Sequence, residues 1–482
     1  MTLVIALILL MACVLVATEN LTKVNRAAVA IFAGTVGWVL YICFGMDFVT
    51  SEHPSAYHDF LSFNPFAEGG AQPTSTNVKY FIARKIFLPY VGRAAEIVLF
   101  LLATMTIVEV LNNNGCFDFI RQLLRTRKSK KMLWTLAVAT FALSANLDNL
   151  TTTVMMLTIM HGIVPNRRQR MVYGGAILLA ANCGGALTVI GNPEGLVLWN
   201  SGAVTATSFS LALLLPCLAA WLVPTAMMQR MLPERVETEW ISMPFRGDDT
   251  RLNVWQRLVM LFVGIGGLWF IPTFHDITKL SPFLGALCVL SVLWIVNEIF
   301  NRKLMNMDAM AERRTPRVLQ YGVIQMILFV MGFMLAVGVV KETGAFDDLA
   351  QVLGAEPSHP GVWLHGIAAG LLSTVLDNFA TAMNFFSLHD LVGANGLTPS
   401  DLVTDYSTNG LYWQVIAYCV MAGGNVLGIG TISGLALMKM EHMHMGWYFR
   451  NIGWKTLMGG VIGLAILWLS HNLVAGATNL II

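Results

Sequence analysis

Charged residues are scarce in this sequence. Its 482 residues include 30 Lys and Arg and 28 Asp and Glu, so that 12% are charged and the net charge is +2. Average soluble proteins contain about 25% charged residues. A chain this poor in charge, with 56% apolar residues, cannot cover a globular surface with solvated groups. The composition excludes a soluble enzyme, a disordered chain and a basic nucleic-acid-binding protein, and it predicts an all-α polytopic membrane protein.

The sequence also lacks the patterns of disulfide frameworks and catalytic centres. Its seven cysteines include no C-x-x-C pair, so neither a disulfide framework nor a cysteine-bound metal is predicted. H-E-x-x-H and G-x-S-x-G do not occur, which disfavours an enzyme embedded in the membrane. The first 18 residues are apolar without a preceding basic segment. This favours a retained first span over a cleaved signal peptide.

Long apolar runs predict the membrane spans, because crossing the hydrocarbon core takes about 20 helical residues. Two other apolar stretches, 132–163 and 361–389, are interrupted near the middle by a polar cluster. The predicted spans are 2–18, 27–45, 94–111, 171–198, 206–228, 255–273, 281–299, 320–340, 411–438 and 456–480.

Basic residues flank the first interrupted stretch on both sides. Residues 112–131 contain six Lys or Arg and residues 167–170 contain three, and such clusters favour the cytoplasmic side. Both clusters can be cytoplasmic only if 132–163 enters the membrane and turns back. Each arm would have about 14 residues, or about 21 Å, which is too short for a core about 30 Å thick. We therefore predict a re-entrant helical hairpin.

Acidic segments flank the second interrupted stretch. Residues 342–360 and 390–410 contain Asp and Glu but no Lys or Arg, which predicts that they are external and that 361–389 is a second re-entrant hairpin. This layout puts both chain termini on the external side of the cell inner membrane. Several basic residues do not fit it and fall in a predicted external loop, 46–93, for which a segment lying flat on the outer interface is the alternative: Lys79, Arg84, Lys85 and Arg93.

Two motifs occur twice in the same order. S-A-N-L-D-N-L-T-T-T-V-M at 144–155 resembles S-T-V-L-D-N-F-A-T-A-M-N at 373–384. G-G-A-L-T-V-I-G-N-P-E-G at 184–195 resembles G-G-N-V-L-G-I-G-T-I-S-G at 423–434. Five predicted spans separate the hairpins, and an odd number inverts the second copy. Inverted-topology repeats are typical of secondary transporters, whose site lies near the midplane where broken helices meet.

Each hairpin carries an aspartate at its predicted tip, Asp148 and Asp377. A carboxylate at the bilayer centre costs about 2.5–3.5 kcal/mol on insertion scales, so a compensating cation or proton is expected. Neighbouring side chains supply only oxygen and amide groups, which suit hard cations such as Na⁺. The alternative is that these residues only cap the turn of a hairpin. The neighbours are Ser144, Asn149, Thr152, Ser373, Asn378 and Thr381.

Glycine-rich segments interrupt the span after each hairpin. Unwound backbone at membrane depth is tolerated where it lines a cavity, and it exposes carbonyl groups and half-helix ends to an ion. The alternative is close helix packing through small residues. Glu194 follows the first break and is a candidate for a proton path, whereas His442 and His444 are candidates for a pH sensor at a solvated helix end. Polar residues at the breaks are Asn182, Thr188, Asn192, Asn425 and Thr431.

The motif L-S-A-N-L-D-N-L-T-T-T, followed by G-G-A-L-T-V-I-G-N-P, resembles the NhaD-type Na⁺/H⁺ antiporters of the ion transporter superfamily. The resemblance implies exchange of cytoplasmic Na⁺ or Li⁺ for external H⁺, with no resident cofactor. It also implies a homodimer with scaffold and transport domains and an elevator-type motion. By position, Asp148, Asn149, Asp377 and Asn378 would form the Na⁺ site. Anion carriers of the superfamily have Ser-Asn-Thr at the tips, where the aspartates of this chain favour a cation or a proton, whereas arsenite exporters share similar D-N-x-x-T tips. An arsenite or organic-anion transporter on the same fold is the alternative.

The predicted domain organisation follows this layout. Residues 1–131 contain N-terminal spans, mainly scaffold, and 199–341 contain further scaffold spans. The transport domain comprises 132–198, with the first hairpin and broken helix, and 342–438, with the second. Residues 439–482 contain the C-terminal span.

Overall fold

The computed structural model describes residues 1–63, 75–124, 126–236, 252–301, 321–352, 358–391 and 404–478. Parts of the predicted external segments, 353–357 and 392–403, lie outside the described residues. Within the described residues the chain is helical, and its β-structure is limited to an isolated antiparallel bridge between Lys128 and Arg235. The predicted all-α class is confirmed for the described residues.

The helices follow one another in chain order. They are α1 (Thr2–Ala17), α2 (Glu19–Thr22), α3 (Arg26–Phe44), α4 (Met46–Glu52), α5 (Pro54–Phe63), α6 (Ser75–Phe81), α7 (Leu88–Asn113), α8 (Asp118–Leu123), α9 (Ser129–Ser144), α10 (Asn149–His161), α11 (Arg167–Leu187), α12 (Pro193–Asn200), α13 (Ala206–Met228), α14 (Val254–Leu261), α15 (Gly267–Thr278), α16 (Pro282–Asn301), α17 (Tyr321–Glu342), α18 (Ala345–Val352), α19 (His359–Ser373), α20 (Asn378–Phe386), α21 (Leu411–Leu427), α22 (Ile432–Met440), α23 (Met445–Tyr448) and α24 (Trp454–Thr478). Short π-helical turns connect α6 to α7, α14 to α15 and α23 to α24.

Eight helical segments of the described residues are long and apolar enough to cross a membrane. They match eight of the ten predicted spans, which confirms a polytopic membrane protein. Of the other two, 2–18 is a shorter apolar helix, α1, and 171–198 is divided into α11 and α12.

One of these eight segments is longer than predicted. Residues 75–113 form a single helical segment of 39 residues, so Lys79, Arg84, Lys85 and Arg93 lie on a helix. A helix was not predicted for residues 75–93, whereas their external position stays a prediction. The predicted span, 94–111, covers only the part of this helix without basic residues, whereas helical hydrogen bonding extends through the preceding residues that carry them.

The chain forms two compact units, residues 1–98 with 321–356 and residues 99–320 with 357–482. In the first unit, α3 packs along α17. A Cβ atom on Gly34 would lie 2.7 Å from the carbonyl oxygen of Gly332, so glycine allows the two backbones to approach closely. Apolar helices in a membrane associate largely through such van der Waals packing.

The second unit contains two helix–turn–helix hairpins, α9–α10 and α19–α20, at the two interrupted stretches. Each hairpin is followed by a helix that is broken, at 188–192 between α11 and α12 and at 428–431 between α21 and α22. α11 packs on α9 and α10, and α21 packs on α19 and α20. Both predicted breaks are therefore present, and each lies beside its own hairpin.

The start of the first hairpin lies beside the helix that follows the hairpin. The Tyr173 hydroxyl, on the first turns of α11, donates a hydrogen bond to the carbonyl of Ser129, the first residue of α9, at 3.4 Å. The ends of the second hairpin meet at Tyr406, which contacts His389 with its ring and donates from its hydroxyl to the carbonyl of Ser358. The start of each hairpin therefore lies beside residues that follow that hairpin in the chain.

Candidate functional site

The two hairpin aspartates occupy equivalent positions as N-terminal caps. Asp148 precedes α10, and its Oδ2 accepts hydrogen bonds from the Thr151 backbone N–H at 2.8 Å and the Thr151 hydroxyl at 3.1 Å. Asp377 precedes α20, and its Oδ1 accepts from the Phe379 N–H at 3.0 Å. Both side chains are buried. The capping role considered for these residues is therefore present at both tips.

Capping leaves several buried oxygen atoms of the hairpins without hydrogen-bond partners. These are Oδ1 of Asp148 and the hydroxyl oxygens of Thr152 and Thr381. Thr152 and Thr381 have no exposed surface. A buried oxygen without a partner costs about 1–3 kcal/mol, and a cation or a proton supplies such a partner. The two threonine hydroxyls lie at equivalent positions of the two motifs, so the pattern repeats and is not a single packing defect.

Backbone hydrogen bonds attach each hairpin tip to the break of the following helix. The N–H of Asn149 donates to the Gly191 carbonyl at 3.2 Å, and the N–H of Asn378 donates to the Gly430 carbonyl at 2.9 Å. These two bonds join equivalent pairs of the repeated motifs. They bring the sequence-predicted tip residues and break residues into direct contact in both halves.

The serine hydroxyls repeat the same pattern. Ser144 donates to the Ala181 carbonyl at 2.7 Å. The single hydroxyl proton of Ser373 is shared between the Val420 carbonyl at 2.9 Å and Asn378 Oδ1 at 2.7 Å. Both serines are fully buried. They hold the first arm of each hairpin against the long half of its broken helix, so their role in this structure is to position the tips.

Polar residues cap the short halves of the broken helices. Asn192 Oδ1 accepts from the Gly195 N–H at 3.1 Å at the start of α12, and Thr431 Oγ1 accepts from the Gly434 N–H at 3.0 Å at the start of α22. Thr188, at the end of α11, donates to the Ala145 carbonyl at 2.6 Å. The unwound backbone predicted from the glycine-rich sequence is thus ordered by its own side chains.

Two asparagines connect the halves of the site. Asn182 Nδ2 donates to Asn425 Oδ1 at 2.7 Å and lies 3.5 Å from Thr431 Oγ1. Asn149 Nδ2 lies 3.4 Å from Asn182 Oδ1. In addition, α12 packs on α20 and α10 packs on α22. The structure therefore brings all thirteen predicted site residues, from both motif copies, into one region.

A third carboxylate belongs to this region and was not among the predicted ion ligands. Glu194, in the first turn of α12, is 7% exposed, and its Oε2 has no hydrogen-bond partner. It lies within electrostatic range of both Asp148 and Asp377. Its signal in the sequence is an acidic residue directly after a proline in a broken span, at the positive end of a half-helix. The equivalent position in the second copy is Ser433, which is also buried.

The histidines considered as pH sensors are not part of this region. His442 and His444 follow the C-terminal end of α22, whereas the site lies at its N-terminal end. Arg167 donates to the His442 carbonyl, and Arg170 forms an ion pair with the buried Glu441 at 2.9 Å.

Four helix N-termini meet around the site, those of α10, α12, α20 and α22. The positive ends of their helix dipoles stabilise carboxylates, which explains how three acidic side chains can be buried together. The described residues of the site include no Lys or Arg, so none of its side chains carries a permanent positive charge. The arrangement suits the binding of a small cation or of protons.

Comparison with known proteins decides the family. The profile described as Citrate transporter, CitMHS, matches residues 1–404. This chain belongs to the CitMHS family. Membership makes it a transporter and not an enzyme.

Individual relatives carry more specific names. Sodium/proton antiporter 1 of Arabidopsis thaliana is 32% identical over 382 residues, which are 79% of this chain and 63% of that protein. Sodium/proton antiporter 2 of the same plant is 28% identical over 79% of this chain and 86% of its own length. Na⁺/H⁺ antiporter NhaD of Vibrio cholerae serotype O1 is 25% identical over 413 residues, 78% of this chain and 79% of its own length. The resemblance to NhaD-type antiporters is thereby confirmed.

Proposed function

We propose that this CitMHS-family chain is a secondary antiporter that exchanges cytoplasmic Na⁺ or Li⁺ for external H⁺. The observation that carries the proposal is the group of buried carboxylates, Asp148, Asp377 and Glu194, with unpartnered oxygens at Asp148 and Glu194. Such a group binds either a cation or protons, because leaving several buried charges uncompensated is too costly. Alternating occupancy by Na⁺ and H⁺ then couples the two movements. The relatives named as sodium/proton antiporters support the same assignment.

The family description favours a second candidate, an organic-anion transporter. Helix N-termini of the kind found here bind anions in many proteins. In this chain, however, Asp148 and Asp377 already occupy the N-cap positions of α10 and α20, so a carboxylate substrate would face like charges. The structure thus supports a cation site over a citrate site, and arsenite is kept as a separate substrate to be tested.

The test measures exchange in proteoliposomes that carry a pH gradient reported by a fluorescent dye. Addition of Na⁺ or Li⁺ should dissipate the gradient, whereas arsenite or citrate should not. Asp148→Asn should abolish the signal. Asp276→Asn, which removes an exposed carboxylate on α15, is the matched control and should behave like the wild type. Dissipation by citrate alone would overturn the cation assignment in favour of an organic-anion transporter, and dissipation by arsenite alone would overturn it in favour of an arsenite transporter.

We further propose that both hairpins are re-entrant, within an inverted repeat in the inner membrane. The hydrogen bond between Tyr173 and Ser129 supports this, since it joins the start of the first arm, α9, to the first turns of α11, the helix that follows the second arm. In a cysteine-free background, cysteines at positions 127 and 168 should both react only from the cytoplasm. Reaction from opposite sides would mean that 132–163 crosses the membrane, which would remove the inverted repeat.

Transport is proposed to follow an elevator-type motion in a homodimer. The hairpins and broken helices, about 132–198 and 361–438, would move as one block against the remaining spans, because hydrogen bonds join them across both motif copies. A crosslink between this block and the remaining spans should stop exchange, whereas one within the block should not. Full activity with the first crosslink would contradict the motion.

A further inference from the structure

Three potential metal ligands meet away from the proposed ion site. They are His359, Asp405 and His471, whose ligand atoms all lie within 4.8 Å of one another. His359 Nδ1 is 2.8 Å from Asp405 Oδ2, and the imidazole rings of His359 and His471 stack at 5.7 Å. The three residues come from separate segments: the first residue of α19, a 3₁₀ turn at Thr404–Tyr406 and the C-terminal part of α24.

We propose that these three residues bind a Zn²⁺ ion or a similar divalent transition-metal ion. Two imidazole nitrogens and one carboxylate oxygen form a ligand set typical of Zn²⁺ sites that keep a fourth position for water. Ca²⁺ and Mg²⁺ prefer sets made of oxygen atoms, so imidazoles select against them. The same reasoning separates this site from the transported Na⁺, which the oxygen-rich hairpin tips would bind.

Metal binding requires the distances between ligand atoms, which are at most 4.8 Å, to change by about 1.5 Å or less. Bonds of about 2.0–2.2 Å in tetrahedral geometry place ligand atoms about 3.3 Å apart. His359 Nδ1 and Asp405 Oδ2 therefore need to separate by about half an ångström, and rotation of the His471 ring can bring its nitrogen closer. In the absence of metal, the contact between His359 and Asp405 serves as a hydrogen bond or ion pair.

The surroundings hold the ligands while leaving a path to solvent. The Asp405 side chain is 11% exposed and that of His359 is 45% exposed, so the carboxylate is fixed while an imidazole remains accessible. The turn that carries Asp405 is ordered by a hydrogen bond from the Trp413 indole to the Ser407 carbonyl at 3.1 Å. On the other side, the Ser358 hydroxyl accepts from the Gly361 N–H at 3.2 Å and caps α19 directly before His359.

This site is distinct from the proposed ion site. α19 contains 15 residues between His359 and Ser373, and at 1.5 Å per residue its ends are about 21 Å apart. On the proposed layout the metal site lies at the external end of the protein. A bound metal would connect the first arm of the second hairpin to α24. The proposal depends on neither Na⁺/H⁺ exchange nor its direction.

The experiment measures Zn²⁺ binding to the full chain in detergent, purified without a histidine tag and treated with EDTA. Competition with a chromophoric chelator should show about one tightly bound Zn²⁺ per chain, and binding should raise the unfolding temperature by mass action. His359→Gln, Asp405→Asn and His471→Gln should each weaken binding by at least about tenfold, because even outer-shell changes at metal sites cost about 10–100-fold. His444→Gln, near the opposite end of the unit, is the control and should bind like the wild type.

Unfolding temperatures in EDTA show whether each variant is folded, and only folded variants are compared. The proposal is overturned if the wild type binds no Zn²⁺. It is also overturned if the folded variants at positions 359, 405 and 471 keep wild-type affinity, or if the loss occurs only in the control. If one variant does not fold, the Zn²⁺ affinities of the other two are compared with that of the wild type.

Discussion

Replacing Gly424 by alanine tests the ion site without removing any charge. Gly424 lies on α21 against the second hairpin tip. An added Cβ would lie 2.8 Å from both Asn378 Cγ and Thr431 Cγ2, and it would overlap Asn378 Oδ1. Carbon atoms pack best at about 3.5–4.0 Å, so the Asn378 side chain has to move by about an ångström. We therefore expect the Gly424→Ala variant to bind Na⁺ more weakly than the wild type.

The size of the effect follows from the contacts that Asn378 would lose. Its Oδ1 accepts the Ser373 hydroxyl at 2.7 Å within a buried region. Breaking such a bond and leaving a partner unsatisfied costs about 1–3 kcal/mol, and inserting a methyl group into a packed core costs a similar amount. If about 1–3 kcal/mol of this cost weakens ion binding, the apparent KM for Na⁺ rises about 5- to 150-fold. The remaining part of the cost lowers the free energy of unfolding.

The assay is Na⁺ titration of gradient dissipation in proteoliposomes, together with thermal unfolding in detergent. Gly446→Ala is the matched control, because an added Cβ there meets no atom within 4 Å. It should leave both the KM and the unfolding temperature unchanged. A KM within about twofold of the wild type in folded Gly424→Ala would refute the reasoning, since the Asn378 side chain would then be irrelevant to the ion.

Three further predictions concern charge. Asp148→Asn and Asp377→Asn should each abolish exchange but leave a folded protein, because asparagine caps a helix as well as aspartate does; near-normal Na⁺-dependent dissipation in either variant would count against the site. If Na⁺ and H⁺ compete for the same carboxylates, the apparent KM for Na⁺ should rise by up to about tenfold per unit as pH falls, by linkage, and a flat KM with a changing Vmax would indicate a separate sensor. Glu441→Gln should remove the negative charge beside Arg170, whose hydrogen bonds to the Val164 and Pro165 carbonyls remain, and lower stability by about 1–3 kcal/mol, and an unchanged unfolding temperature would contradict this.

The sequence determined the class of the protein and the positions of its special segments. Scarce charge and long apolar runs follow directly from the demands of a membrane, so the spans could be located by composition. The tip aspartates and the glycine-rich breaks were also recognisable, because a charge or an unwound helix within an apolar run is costly and needs a local reason. The helix at residues 75–93 was not predicted, because Lys79, Arg84, Lys85 and Arg93 interrupt the apolar residues there and weaken the hydropathy signal.

The tertiary structure decided which of these residues act together. The contact between Asn182 and Asn425 joins residues far apart in the chain, and no local pattern specifies that distance. The grouping of Glu194 with Asp148 and Asp377 likewise depends on how the helices pack and not on a local sequence pattern. The cluster of His359, Asp405 and His471 left no motif at all, because its members lie in three separate segments. Periodicity and propensity report only the neighbours of a residue along the chain, whereas a binding site depends on how the segments pack.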